Sequence, residues 1–151
     1  MAALGATALE AGSNMIDKRE ILEAASALGL LPNIVEKDYV LGWLLAGIHA
    51  HPDLAESWVF KGGTCLKKCY YETYRFSEDL DFTLRDEHQL ETGFLQRVLG
   101  EVMSWVAEQS GLVMLQVIAG SAHGVSSPSS LLLVLFNRRL TMCAIINSSG
   151  Y

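Results

Sequence analysis

Residues 59–82 read VFKGGTCLKKCYYETYRFSEDLDF, and this stretch decides the fold. A short apolar run ends in a glycine pair, Gly62 and Gly63, a helical stretch follows, and an acidic strand closes the unit. On a strand, residues two apart share a face, so Asp79 and Asp81 point one way and Leu80 and Phe82 the other. Two carboxylates therefore converge on one point behind a glycine turn. Hard divalent cations such as magnesium take oxygen ligands, keep several waters and complete their shell with substrate phosphates, which suits such a pair. The glycines let the backbone come close to a ligand and take positive φ, leaving amide N–H groups for anionic oxygens. With Thr64 as cap, the following helix would present its positive end at the same place and favour an exposed phosphate by roughly 0.3–1 kcal/mol.

Taken singly, each motif has a plainer reading. Gly62, Gly63 and Thr64 suit any tight strand-to-helix turn, and Asp79 with Asp81 suits the solvated face of an edge strand. The two motifs flank one short helix, however, and the acidic strand has an apolar opposite face. Together they outline a nucleotide-and-magnesium site, with Asp79 and Asp81 as catalytic and metal-binding residues. Gly62, Gly63, Thr64, Lys68 and Ser77 form the candidate nucleotide-binding set. Lys68 also fits an ordinary exposed helix lysine, and Ser77 a local turn or cap.

The run KGGTCLKK followed by RFSEDLDF resembles the signature of the AbiEii/AbiGii toxin family of nucleotidyltransferases, within the DNA polymerase β-like superfamily. In that family a Gly-Gly or Gly-Ser turn precedes an Asp-x-Asp strand, and the matching positions here are Gly62, Gly63, Asp79 and Asp81. Lys68 matches the lysine after the turn, and Arg75, Phe76, Ser77 and Glu78 match the run into the acidic strand. The segment IVEKDY at 34–39 resembles the family's N-terminal helical part, and the resemblance spans about residues 15–115. It implies an α/β (α+β) nucleotidyltransferase-like fold, a small mixed sheet with flanking helices. It also implies transfer of a nucleotidyl group from an NTP to a hydroxyl acceptor, tRNA or protein, with Mg2+. Because the family supplies the toxin half of toxin–antitoxin and abortive-infection pairs, a cognate antitoxin is the implied partner.

Composition sets outer bounds. The chain has 151 residues, half of them hydrophobic, enough for one domain over 1–151 with a real core. A net charge of -6 and a pI near 5.1 argue against a generally basic nucleic-acid surface, although Lys61, Lys67, Lys68 and Arg75 outline a local patch. No stretch approaches the roughly 20 apolar residues of a membrane span, and no basic-then-apolar leader opens the chain. The expectation is no membrane partner and a cytoplasmic protein. Cys65, Cys69 and Cys143 suggest neither a disulfide framework nor a zinc site; Cys65 and Cys69 read as two half-buried thiols on one helix face.

Residues 1–14 read as a loose tail. Asp17 and Glu20 form a capping box for a helix ending near Gly29, and a second helix begins near Pro32 and carries Val40, Leu41, Leu44 and Leu45. Strands are expected at 58–60 and 80–84, with a helix from Thr64 to about Tyr71 between them. Asp86 is expected to cap a long helix running to about Gln109, with Leu90, Phe94, Val98, Val102, Trp105 and Val106 inward, before a strand at 112–118. Trp43, Trp58 and Trp105 are expected in the core, and Glu36, Lys37 and Asp38 on a helix surface. From Leu112 onward there is no Asp, Glu or Lys, and the apolar runs 131–136 and 142–146 read as two strands or a hairpin. The part 120–151 is thus atypical and lacks the third acidic strand and later lysine and aspartate motifs of the family, as in a truncated member. The alternative is an inactive remnant that binds nucleotide or a partner protein without turnover.

Overall fold

The protein is described by a computed structural model over residues 16–71, 76, 79–112, 114–121, 130–137 and 140–148, the last three stretches as backbone. Helix α1 (Lys18–Leu28) starts where the sequence places it. The Asp17 carboxylate accepts from the Glu20 amide at 2.8 Å while Glu20 Oε2 accepts from the Asp17 amide at 2.8 Å. Its Ile21 and Ala25 are buried, and helix α2 (Pro32–Ala50) follows with Pro32 in its first turn, where a missing N–H costs nothing.

Strand β1 (Trp58–Lys61) runs straight into the short helix α3 (Gly62–Cys65), which continues as a π-helical turn over Leu66–Tyr70. Strand β2 (Asp79–Leu84) alternates half-buried and buried positions without exception. The long helix expected after Asp86 is broken in two. Asp86 does cap, accepting from the His88 amide at 3.0 Å, but what it caps is a single 3-10 turn, Glu87–Leu90. Helix α4 (Thr92–Ser110) begins afterwards at Glu91, which supplies no side-chain cap. The consequence is a rotated inner stripe, with Leu95 and Leu99 fully inside and Leu90, Phe94 and Trp105 only packed against the core.

Strands β3 (Met114–Ser121), β4 (Ser130–Asn137) and β5 (Leu140–Ser148) complete one five-stranded mixed sheet in the order β1-β2-β5-β4-β3. The two apolar runs of the acid-free segment form the β4–β5 hairpin, and β5 lies parallel to β2. The core joins Val40, Leu41, Leu44 and Ile48 of α2, Leu80, Phe82 and Leu84 of β2, and Leu95, Val98, Leu99, Val102 and Val106 of α4. Trp58 is in that core, while Trp43 and Trp105 pack on its margin with ring centroids 6.3 Å apart. Helices α2 and α4 touch across Gly47, where a Cβ would lie 3.0 Å from methyls of both Val102 and Val106. Covering the apolar face of β2 with these helices leaves the opposite face to Asp79 and Asp81.

The segment between α2 and β1 is pinned by polar contacts. His51, buried, accepts from the Asp53 amide through Nδ1 at 3.2 Å, so its Nε2 carries the proton donated to Glu101 Oε2 at 2.8 Å. The His51 bond, with Arg97 behind it, holds the Glu101 carboxyl below its ordinary pKa. Arg97 in turn pairs with Asp53 at 3.1 Å. These links fix the point from which β1 enters the sheet.

Candidate functional site

β1 and β2 pair antiparallel with Phe60 opposite Phe82 and Lys61 opposite Asp81. Opposed residues share a face, so the apolar partners turn to the core while Lys61 joins Asp81 on the other side. The turn into α3 follows at once. Gly62 has φ of +80°, a conformation costly for any residue with a Cβ, and this lets the strand become a helix with no intervening loop. The absence of a side chain is needed for a second reason. A Cβ on Gly62 would collide with Asp81 Oδ2 and lie 3.0 Å from Asp81 Cγ, so the carboxylate rests directly over the glycine. Glycine turn and acidic strand, separate motifs in the sequence, are one contact in the fold.

Thr64 does a different job from the helix cap expected of it. The residue before the helix is Lys61, which makes no side-chain cap, and Thr64 lies within the first turn, 1% exposed. Its hydroxyl donates to the Asp79 carbonyl at 2.5 Å. Helix and strand are thereby tied at the first aspartate. Of the glycine pair, only Gly62 takes a positive φ; Gly63 continues the helix.

The electrostatics of the carboxylate pair follow from this packing. Partial burial and the neighbouring Asp79 push the Asp81 pKa up, while Lys61 pulls it down. Two carboxylates sharing a face repel, and a bound cation is what relieves such repulsion. Lys61 is therefore a site neighbour that the sequence reading counted only within a basic patch. Its position opposite Asp81 could have been read from the pairing of two short strands around one turn.

Lys68 is engaged with helix α2. Its Nζ donates to Asp38 Oδ2 at 3.0 Å and to the Asp38 backbone carbonyl at 3.1 Å, on α2. Lys67 Nζ lies 3.3 Å from Asp38 Oδ1, a charge contact without hydrogen-bond geometry, and stacks over the Phe76 ring at 4.0 Å. Asp38 is thus no surface residue; it is a half-buried counter-ion to both lysines of the turn. Ser77, Glu78 and Arg75 lie outside the described residues.

Beside the pair, parallel β5 sets Cys143 in register with Asp79 and Ile145 with Asp81. No third acid stands on that neighbouring strand. Among the described residues no group of three or more metal-ligating side chains gathers, and no helix is long and apolar enough to cross a membrane.

Residues 43–126, more than half of the chain, match the family described as the nucleotidyl transferase AbiEii toxin of type IV toxin–antitoxin systems. The chain belongs to the AbiEii family. A crystal structure of a candidate nucleotidyltransferase from H. pylori superposes with a TM-score of 0.50 at 18% identity, covering 80% of this chain and 46% of that one. The JHP933 protein of Helicobacter pylori gives 0.42 at 18% identity, over 78% of this chain and 44% of its own. No curated protein matches the sequence at a significant level. The first superposition shows a shared nucleotidyltransferase-like fold, and the chain spans less than half the length of both solved structures. The family match includes the glycine turn and the acidic strand, so it covers every residue of the candidate site.

Proposed function

We propose that this AbiEii-family chain binds a nucleoside triphosphate with Mg2+ and moves its nucleotidyl group to a hydroxyl acceptor on RNA, such as tRNA, or on protein. The observation that carries the reading is the Asp81 carboxylate resting on Gly62, which makes phosphate cradle and cation-binding pair adjoining parts of one site. The donor set suits magnesium: two aspartates on one face of a strand, with burial and then the Asp79 charge raising the Asp81 pKa. Bound there, the ion would polarise phosphate oxygens and offset the charge that develops in transfer.

The remaining roles belong to the protein's own groups. Gly62 and Gly63 open the backbone to phosphate oxygens, and the first-turn amides of the helix lack intrahelical partners. Thr64 acts by fixing Asp79 through its carbonyl. Lys61 adds positive charge beside Asp81. Lys68 retains N–H capacity for a phosphate while two of its donors engage Asp38. Ser77 remains in the proposed set from the motif alone. A cognate antitoxin is the proposed partner and the cytoplasm the proposed compartment, both from the family.

A second reading has its own observation. Cys143 and Ile145 on β5 occupy the register positions beside the aspartates, where a third carboxylate would be expected to help activate the acceptor. On that reading nucleotide binds and turnover fails. The test is transfer of label from α-phosphate-labelled NTPs to total RNA and total protein. Label on one acceptor class, abolished by Asp79→Asn, supports the enzyme. Magnesium-dependent binding with no transfer supports the binding remnant.

A further inference from the structure

The helical segment that carries the glycine turn also carries two cysteines, Cys65 and Cys69, which the proposed reaction does not use. Cys65 is half-buried and Cys69 exposed. The segment between them is not regular α-helix. Over Leu66–Tyr70 it is a π turn, closed by the Tyr71 amide donating to the Leu66 carbonyl at 2.8 Å. In an α-helix, residues four apart are separated by about 6 Å along the axis. Cys65 closes α3 and Cys69 lies within the π turn, so the two sit about one turn apart on one continuous helical segment. A separation of about 6 Å along a helix lies within the span of about 4.4–6.8 Å that a disulfide bridges. Burial pushes the Cys65 thiol up, and the neighbouring Cys69 pushes it further.

We propose that Cys65 and Cys69 form an oxidisable pair, a modification site at which a peroxide converts the two thiols into an intrahelical disulfide. Exposed Cys69 as thiolate attacks the peroxide O–O bond to give a sulfenic acid and hydroxide. The Cys65 sulfur then displaces hydroxide from that sulfenic sulfur, so two thiols and one hydrogen peroxide give one disulfide and two waters.

The location gives this oxidation a consequence. Cys65 directly follows one anchor, the Thr64 hydroxyl on the Asp79 carbonyl, and the two cysteines bracket a second, the lysines Lys67 and Lys68 on Asp38. Drawing Cys65 and Cys69 together contracts the turn that carries Lys67 and Lys68 and adjoins Thr64, so one of these contacts must give. The oxidised form is therefore expected to hold the glycine turn and Asp79 in an altered relation. This part rests on the nucleotide reading above; the disulfide itself does not.

The test uses the full chain carrying Cys143→Ser, treated with equimolar hydrogen peroxide. Trypsin cuts after Lys61, Lys67, Lys68 and Arg75, so Cys65 and Cys69 fall on separate peptides, GGTCLK and CYYETYR. The expected result is a cross-linked pair of these peptides, two hydrogens lighter than their sum, forming faster in the folded chain than in urea. Oxidation confined to Cys69 with Cys65 still alkylable, or cross-linking no faster when folded, would overturn the proposal. For the consequence, magnesium–ATP binding to the oxidised chain is expected to be about ten-fold weaker than to the reduced chain, the scale of one displaced hydrogen bond or ion pair. A Cys65→Ser/Cys69→Ser variant should bind alike with and without peroxide. If the disulfide forms but neither state binds ATP, the nucleotide reading fails and the oxidation site stands.

Discussion

Replacing Gly62 by alanine tests the contact on which the site is built. The backbone there has φ of +80°, which costs an L-residue about 1–2 kcal/mol. The new methyl would also press on the Asp81 carboxylate, 3.0 Å from Cγ and 3.1 Å from Cβ. Overpacking of this kind costs about 1–3 kcal/mol. The two parts together predict a loss of roughly 2–5 kcal/mol, or a Tm drop of roughly 4–20 °C for a chain of this size. Urea unfolding of four proteins separates the parts: parent, Gly62→Ala, Asp81→Ala and the double variant. Removing the carboxylate leaves mainly the backbone cost, so alanine at position 62 should be cheaper beside Asp81→Ala by about 1–3 kcal/mol. A coupling below about 0.5 kcal/mol would refute the claim that carboxylate and glycine share one space.

Other outcomes follow from the same geometry. Asp81 has a folded pKa above its unfolded value, so its stabilising contribution is complete below the ordinary carboxylate range near about 4 and is lost as pH rises through the folded value. Asp81→Asn should therefore raise Tm more at pH 7 than at pH 4 in metal-free buffer; an equal gain at both would contradict the crowding of the pair. Asp38→Asn leaves Lys67 and Lys68 half-buried without a counter-charge, and should cost about 1–3 kcal/mol by urea unfolding, between exposed and fully buried pairs. Thr64→Val keeps the shape but removes the donor to the Asp79 carbonyl; a loss of about 1–2 kcal/mol is expected, and no loss would mean the tie is idle.

The sequence was most legible where local rules act alone. The capping box at Asp17 and Glu20, Pro32 opening α2 and the strict alternation of β2 each depend on residues a few positions apart, and each was found as read. Thr64 was misread because a threonine after two glycines looks like a cap; only the position of Asp79, fifteen residues on, gives its hydroxyl a buried partner. The same holds for Asp38, which reads as helix surface until the π turn brings Lys67 and Lys68 against it. The break between the 3-10 turn and α4 escaped because Asp86 is a good cap and nothing beside it is a strong helix breaker. The acid-free segment proved able to form strands because apolar runs of that length suit interior strands of a sheet, and β5 and β4 are both interior.

Calorimetric titration of ATP, GTP, CTP and UTP into the folded chain, with and without magnesium, tests the central claim most directly when run beside Asp79→Asn/Asp81→Asn. The account predicts binding of at least one nucleotide that requires both the metal and the aspartates. Binding that survives loss of both aspartates, or no binding by the folded parent chain, would contradict it.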